Sequence, residues 1–255
     1  RSSAASDVYK RQVLGYGTVG SGVVEVLNTN KDRINSKSYE PINIKYVLDL
    51  RDFPGDPVQE IITHDYNDIL NDNTIDVVVE VMGGINPAYT FVKQALESGK
   101  SVCTSNKELV AAHGGELMAL AKEYNVNFLY EASVGGGIPI IRPINRSITS
   151  DEIVKIVGIL NGTTNYMLTK MSEEGLEYND VLSDAQAKGY AERNPDADVE
   201  GYDACRKIAI LASLATEKTV SYDDIYTEGI TNISKTDMDY VKTVSYTHLT
   251  LPTIA

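Results

Sequence analysis

From residue 13 to residue 130, short apolar runs alternate with segments whose apolar positions recur every three or four residues, the pattern of successive parallel βαβ units. The runs predict strands at 13–14, 42–49, 76–81, 101–104 and 126–130. The periodic segments predict helices over 18–27, 65–70, 87–97 and 107–124. Asp76-Val77-Val78-Val79-Glu80-Val81 is nearly continuous in β-branched residues, as a strand covered on both faces requires. The fold class that follows is α/β, with a Rossmann-type doubly wound parallel sheet over residues 13–134.

At Gly135-Gly136-Gly137-Ile138-Pro139 the rhythm breaks, because three successive glycines cost too much backbone entropy inside a regular element. A domain junction is expected there. Beyond it the pattern predicts helices over 138–147, 165–172, 178–188 and 203–215 and a strand over 152–159, a mixed α+β substrate and dimerisation domain spanning 135–243. The ends do not follow the pattern. Lys10-Arg11-Gln12 stands where the first strand of a buried sheet should be apolar, leaving only Val13 and Leu14 for it, and residues 244–255 are Thr-rich without Asp, Glu, Lys or Arg. Residues 1–12 and 244–255 are therefore expected to be a non-native leader and tail outside the fold.

Charge narrows the classes of partner. Twenty-three basic against 36 acidic residues give a net charge of −13 over 255 residues, which argues against nucleic acid and anionic membrane surfaces, since both are bound by clustered Lys and Arg. No apolar run approaches the roughly 18 residues of a membrane span. Two isolated cysteines, Cys103 and Cys205, form neither a disulfide framework nor a thiolate metal site, and the expected compartment is the reducing cytoplasm.

Six segments could carry chemistry. Gly15-Tyr16-Gly17-Thr18-Val19-Gly20 fits G-x-G-x-x-G between a strand and a helix, where the first glycine makes the turn, the second lets backbone N–H groups approach a pyrophosphate and the third allows close packing. At the end of the second strand Asp49 suits a ribose hydroxyl and Arg51 a 2′-phosphate, which leaves NAD and NADP both open. Thr104-Ser105-Asn106-Lys107 follows the fourth strand, on the edge where ligands bind in such sheets. Asp203 and Lys207, four apart on a helix, face the same way, as either a surface salt bridge worth about 0.3–0.5 kcal/mol or a general acid/base pair. Gly189-Tyr190-Ala191-Glu192 puts a carboxylate in a loop that could take a substrate ammonium. Glu131, ahead of the glycine run, suits a hard monovalent cation or a tight hinge, and the chemistry alone favours the hinge.

These segments, with Val79-Glu80-Val81-Met82-Gly83-Gly84, Gly158-Ile159-Leu160-Asn161-Gly162-Thr163-Thr164-Asn165-Tyr166 and Asp198-Val199-Glu200-Gly201-Tyr202-Asp203, resemble those of homoserine dehydrogenase, collinearly over about residues 13–243. The resemblance implies NAD(P)-dependent interconversion of L-homoserine and L-aspartate 4-semialdehyde, in threonine and methionine biosynthesis. It implies Lys207 as acid/base with Asp203 as its partner at the substrate, Glu192 on the homoserine amine, Gly189 in the loop presenting Glu192, and Lys107 between substrate and nicotinamide. NADP or NAD would lie on Gly15, Tyr16, Gly17, Thr18, Val19, Gly20, Ser105 and Lys107. A sodium ion would be held by Glu131, Val134, Gly136 and Ile138, and the chain would form a homodimer or higher homo-oligomer. The family also continues past Tyr240 and often carries a C-terminal regulatory domain, so feedback inhibition is left unassigned.

Overall fold

The computed structural model describes residues 9–38, 40–148 and 150–243, which divide into two compact units at Arg142/Pro143. Unit 1 is a six-stranded, all-parallel sheet. In chain order it contains β1 (Tyr9–Leu14), α1 (Thr18–Thr29), α2 (Lys31–Asn35), β2 (Ile42–Leu48), β3 (Ile62–Thr63), α3 (Asn67–Leu70), β4 (Ile75–Glu80), α4 (Ala88–Glu97), β5 (Ser101–Thr104), α5 (Lys107–Glu123) and β6 (Phe128–Leu129). The strand order β3-β2-β1-β4-β5-β6 reverses direction at β1/β4, the topological switch point of a doubly wound sheet. Register aligns Leu14 with both Leu48 and Glu80, and Glu80 with Thr104, so the strands end together on one edge. The apolar faces of the helices close over the sheet: α4 buries Ala88, Val92, Ala95 and Leu96, and α5 buries Leu109, Val110, Leu117 and Ala121.

β1 corrects the expected leader. Residues 10–14 pair on both sides of the strand, so residues 9–12 belong to the centre of the sheet, and only residues 1–8 of the leader, like the tail 244–255, lie outside the described residues. The polar side chains there fit poorly. Gln12 is fully buried; its Oε1 accepts the Tyr46 N–H where the β1/β2 register shifts, and among the described residues neither its Nε2 nor the buried Arg11 Nε has a partner. Backbone pairing from two neighbours outweighs side chains that would not have chosen this place.

The two-residue strand β3 and the short helix α2 are too brief for a periodic signal and were not expected. The junction falls later than the glycine run for a physical reason. Glu131 accepts the N–H groups of Ile140, Ile141 and Arg142, tying that stretch back to the first unit.

Beyond α6 (Ile141–Ser147), unit 2 contains α7 (Gly162–Glu174), α8 (Tyr178–Ala187), α9 (Asp196–Val199), α10 (Tyr202–Thr216) and α11 (Lys235–Thr243). Its core gathers Met167 and Met171 of α7, Val181 and Ala185 of α8, then Ala191, Val199, Ile230 and Met238. The strand expected over 152–159 is not formed: these residues have no ladder partner among the described residues, and Val154, Val157 and Ile159 are exposed at 89%, 68% and 78%. Alternating apolar residues specify one face of a strand, but a strand exists only where another supplies its hydrogen bonds.

Candidate active site

In unit 1 the glycine fingerprint forms the turn from β1 into α1. Gly15 sits at φ +99°, a conformation glycine adopts without strain, and its N–H donates to Leu48 O at 2.8 Å. A Cβ on Gly20 would lie 1.9 Å from Gly15 O, whereas one on Gly17 would meet nothing within 4 Å. The third glycine is thus required by the protein's own packing, and the second faces open space. Gly17 caps α1 without a side-chain hydrogen bond, and Gly17, Thr18 and Val19 are exposed. The first N–H groups of a helix have no intrahelical acceptor, and no acid occupies the first turn of α1, so this end is suited to a pyrophosphate.

Beside this turn the Tyr16 N–H donates to Asp49 Oδ2 at 2.8 Å. Arg51 forks onto the same carboxylate, Nε to Oδ1 at 3.0 Å and Nη2 to Oδ2 at 3.1 Å, its backbone N–H adds 3.0 Å to Oδ1, and its guanidinium lies 5.1 Å from the Phe53 ring centre. Arg51 beside it, with the two backbone donors, holds Asp49 well below the usual carboxylate range, at about 2, against the opposing effect of burial. The residues left open between NAD and NADP are thus one ion-paired unit.

On the far side of the switch point, Asn106 caps α5 by accepting the Leu109 N–H at 3.1 Å, which fixes Ser105 and Lys107 on either side of it. Sequence reasoning picked out Ser105 and Lys107 and passed over Asn106. An Asn immediately before a helical period was the available signal.

Glu131 is held by its own surroundings. Burial alone would raise its pKa, but the three N–H groups of residues 140–142 prevail and hold it below the usual range. Three donors leave one of the roughly four acceptor directions of a carboxylate. The Ile138 carbonyl turns inward, 2.6 Å from where a Gly135 Cβ would stand, while Val134 is buried and Gly136 and Ile138 are exposed. A carboxylate with one acceptor direction left over is an oxygen donor of the kind a hard cation takes.

Unit 2 brings together Asn161, Asp203 and Lys207. Lys207 Nζ donates to Asp203 Oδ2 at 2.6 Å and to Leu160 O at 2.8 Å. Asn161 Nδ2 donates to the same Asp203 oxygen at 3.0 Å and to Asp198 Oδ1 at 2.6 Å, while its Oδ1 caps α7 through the Thr164 N–H at 2.8 Å. Asp203 is 1% exposed and the Lys207 side chain 16%, which removes the reading of this pair as an exposed helix salt bridge. An ammonium has three donors and two are used here, so one position on Lys207 remains for another oxygen. In the sequence Asn161 stands only as one residue of a motif, with no signal of its own.

Gly189 ends α8 in a Schellman motif: it adopts φ +74° and donates to Gln186 O, and Tyr190 N–H donates to Ala185 O. The Thr163 hydroxyl grips Tyr190 O at 2.7 Å. The loop is therefore anchored at its start, and Glu192 is exposed two residues on, its carbonyl accepting from Gln186 Nε2 at 3.0 Å.

Two family models match the chain, one described as homoserine dehydrogenase, NAD binding domain, over residues 15–131, the other as homoserine dehydrogenase over residues 139–252. The homoserine dehydrogenase of Bacillus subtilis is 43% identical over 239 residues, 92% of this chain and 55% of that protein. The chain thus spans about half the length of the curated relatives it matches. The crystal structure of a homoserine dehydrogenase from Thiobacillus denitrificans superposes with a TM-score of 0.86 at 36% identity, over 92% of this chain and 55% of that one. A hyperthermophilic archaeal homoserine dehydrogenase mutant in complex with NADPH gives a TM-score of 0.76 at 25% identity, over 89% and 75%. Among the described residues no helix is long and apolar enough to cross a membrane.

Proposed function

Because the chain belongs to the homoserine dehydrogenase family, we propose that it acts as an NAD(P)-dependent dehydrogenase interconverting L-homoserine and L-aspartate 4-semialdehyde, in threonine and methionine biosynthesis. The observation that carries this reading is Lys207, fixed by Asp203 and Leu160 O with one position of its amine left over. A primary alcohol losing hydride must also lose its hydroxyl proton, and an amine held still by two acceptors takes that proton at a defined point. The nicotinamide ring, when bound, accepts or returns the hydride. Asp203 orients the amine and balances the ammonium form, which the reverse reaction needs as acid. Glu192 takes the substrate amine, Gly189 sets the loop that presents it, and Lys107 serves the nicotinamide side with Ser105.

Gly15, Tyr16, Gly17, Thr18, Val19 and Gly20 would hold the pyrophosphate of the dinucleotide. Between the two candidates, hydrogen-bond accounting supports NADP. Asp49 already accepts from Tyr16 and three times from Arg51, which leaves little for a ribose hydroxyl, whereas Arg51 Nη1 has no partner among the described residues and is open to a 2′-phosphate. The archaeal relative bound to NADPH supports the same choice. A sodium ion on Glu131, Val134, Gly136 and Ile138 fits the remaining acceptor direction of Glu131. Residues 152–159, with Val154, Val157 and Ile159 exposed and no ladder partner among the described residues, support a homodimer or higher homo-oligomer in which that stretch is covered. The cytoplasm suits both free thiols.

The test is reduction of NADP and of NAD by homoserine, followed by nicotinamide absorbance, with serine and threonine as competing hydroxy amino acids. Turnover with homoserine, faster with NADP, is expected. Turnover with another amino acid and none with homoserine would assign a different amino-acid dehydrogenase; nucleotide binding with no turnover of any would leave a binding module.

A further inference from the structure

Glu80, the last residue of β4, is fully buried, and its partners are all neutral. Its Oε1 accepts the Met82 N–H at 2.8 Å and Asn106 Nδ2 at 3.5 Å, and its Oε2 accepts the Thr104 hydroxyl at 2.6 Å. Burying a carboxylate without a cation is costly, and the sheet does not need one there, since the preceding residues of the strand are Val77, Val78 and Val79. What the carboxylate does is join two loops. Through Met82 it holds the entry to Gly83 and Gly84, at φ +78° and +70°. Through Thr104, whose oxygen accepts the Asn106 N–H at 2.9 Å, it holds Asn106, whose Nδ2 also reaches Gly84 O at 2.6 Å and whose Oδ1 caps α5. Ser105 and Lys107 flank that cap.

In a sheet of this order the adenosine half of a dinucleotide lies over β1 to β3 and the nicotinamide half over β4 to β6. All of the loops tied by Glu80 belong to the second half. The adenosine side is built on Tyr16, Asp49 and Arg51, which share no hydrogen bond with Glu80.

We propose that Glu80 is a positioning residue for the nicotinamide half of the bound dinucleotide, acting through Thr104 and Asn106 on the Gly83-Gly84 loop and on the first turn of α5. This rests on the dinucleotide reading of unit 1.

The experiment is calorimetric titration of the full chain with two probes, NADPH and 2′-phospho-ADP-ribose, which is the same molecule without nicotinamide. In Glu80→Ala and Thr104→Val the dissociation constant for NADPH rises about tenfold while that for the nicotinamide-free probe changes less than about twofold. Glu80→Gln, which keeps an acceptor for the Met82 N–H, recovers part of the loss. Should Glu80→Ala fail to fold, Thr104→Val, which leaves Glu80 and Met82 in place, decides the matter. An equal loss for both probes reduces Glu80 to a structural residue and overturns the proposal, as does unchanged NADPH affinity in Thr104→Val. If the unaltered chain binds both probes equally, the nicotinamide half gains nothing from this edge and the proposal alone fails. If it binds neither, the dinucleotide reading fails with it.

Discussion

Lys207 Nζ and Asn161 Nδ2 donate to one and the same oxygen of Asp203, at 2.6 and 3.0 Å, and Asp203 is only 1% exposed. An amine held in this way has little freedom to wander. Replacing Lys207 with Ala or Met in the cofactor-bound enzyme is expected to lower turnover by about 10²- to 10⁴-fold with the dinucleotide dissociation constant nearly unchanged. Steady-state kinetics beside a binding titration measure both, and near-normal turnover would return the pair to a purely structural role.

Gly20→Ala tests the fingerprint. A methyl group 1.9 Å from the Gly15 carbonyl meets backbone, which no rotamer change relieves, so β1 and α1 must move apart. Destabilisation of about 1–3 kcal/mol or more is expected in urea unfolding, together with loss of NADPH binding. Gly17→Ala, with open space around its Cβ, is expected to keep the stability and lose only the nucleotide. Equal stability losses in both variants would refute this division of labour.

Acid should unfold unit 1 partly through Asp49. Its folded pKa, held near 2 by the Arg51 ion pair, lies below the value of about 3.9 in an unfolded chain. A depressed carboxylate contributes stability that is fully present above about pH 4 and is lost as pH falls toward 2. Asp49→Asn should therefore be less stable than the parent chain at neutral pH and approach it near pH 2; a constant gap between the two across that range would count against the pair.

Gln12→Val should stabilise the sheet. The substitution removes a buried amide nitrogen that has no partner among the described residues, worth about 1–3 kcal/mol, and gives up the bond to the Tyr46 N–H, worth about 0.5–1.5 kcal/mol, so a net gain of about 1 kcal/mol is expected. A thermal melt reads this as a rise of about 2–4 °C per kcal/mol. An unchanged or lower midpoint would mean that the amide is better satisfied than its surroundings suggest.

Local patterns carried most of this molecule. The helices α1, α4, α5, α8 and α10 and the strands β2, β4 and β5 follow from apolar period and start signals, within a few residues. The glycine turn and the Asp203–Lys207 pairing follow from spacing alone. Less visible was whatever depends on a distant partner. Residues 152–159 have the period of a strand and no neighbour among the described residues to make them one, while Lys10, Arg11 and Gln12 lack that period and are made a strand by β2 and β4. Asn161 and Glu80 were readable only as an unassigned motif residue and an odd carboxylate among valines, because their meaning lies in residues 42 and 24 positions away.

The strand order also sets a timetable. β1 is made first and ends between β2 and β4, so its edge toward β4 stays unpaired until residue 80 has been synthesised. At about 5–20 residues per second the nascent chain carries that open edge for seconds, the interval in which unpaired strands are captured by other chains. A polar Lys10-Arg11-Gln12 makes the waiting strand less adhesive than an apolar one, and the same three residues weaken the finished sheet. Gln12→Val should therefore shift the yield of soluble chain during synthesis in the opposite direction to its effect on the melt.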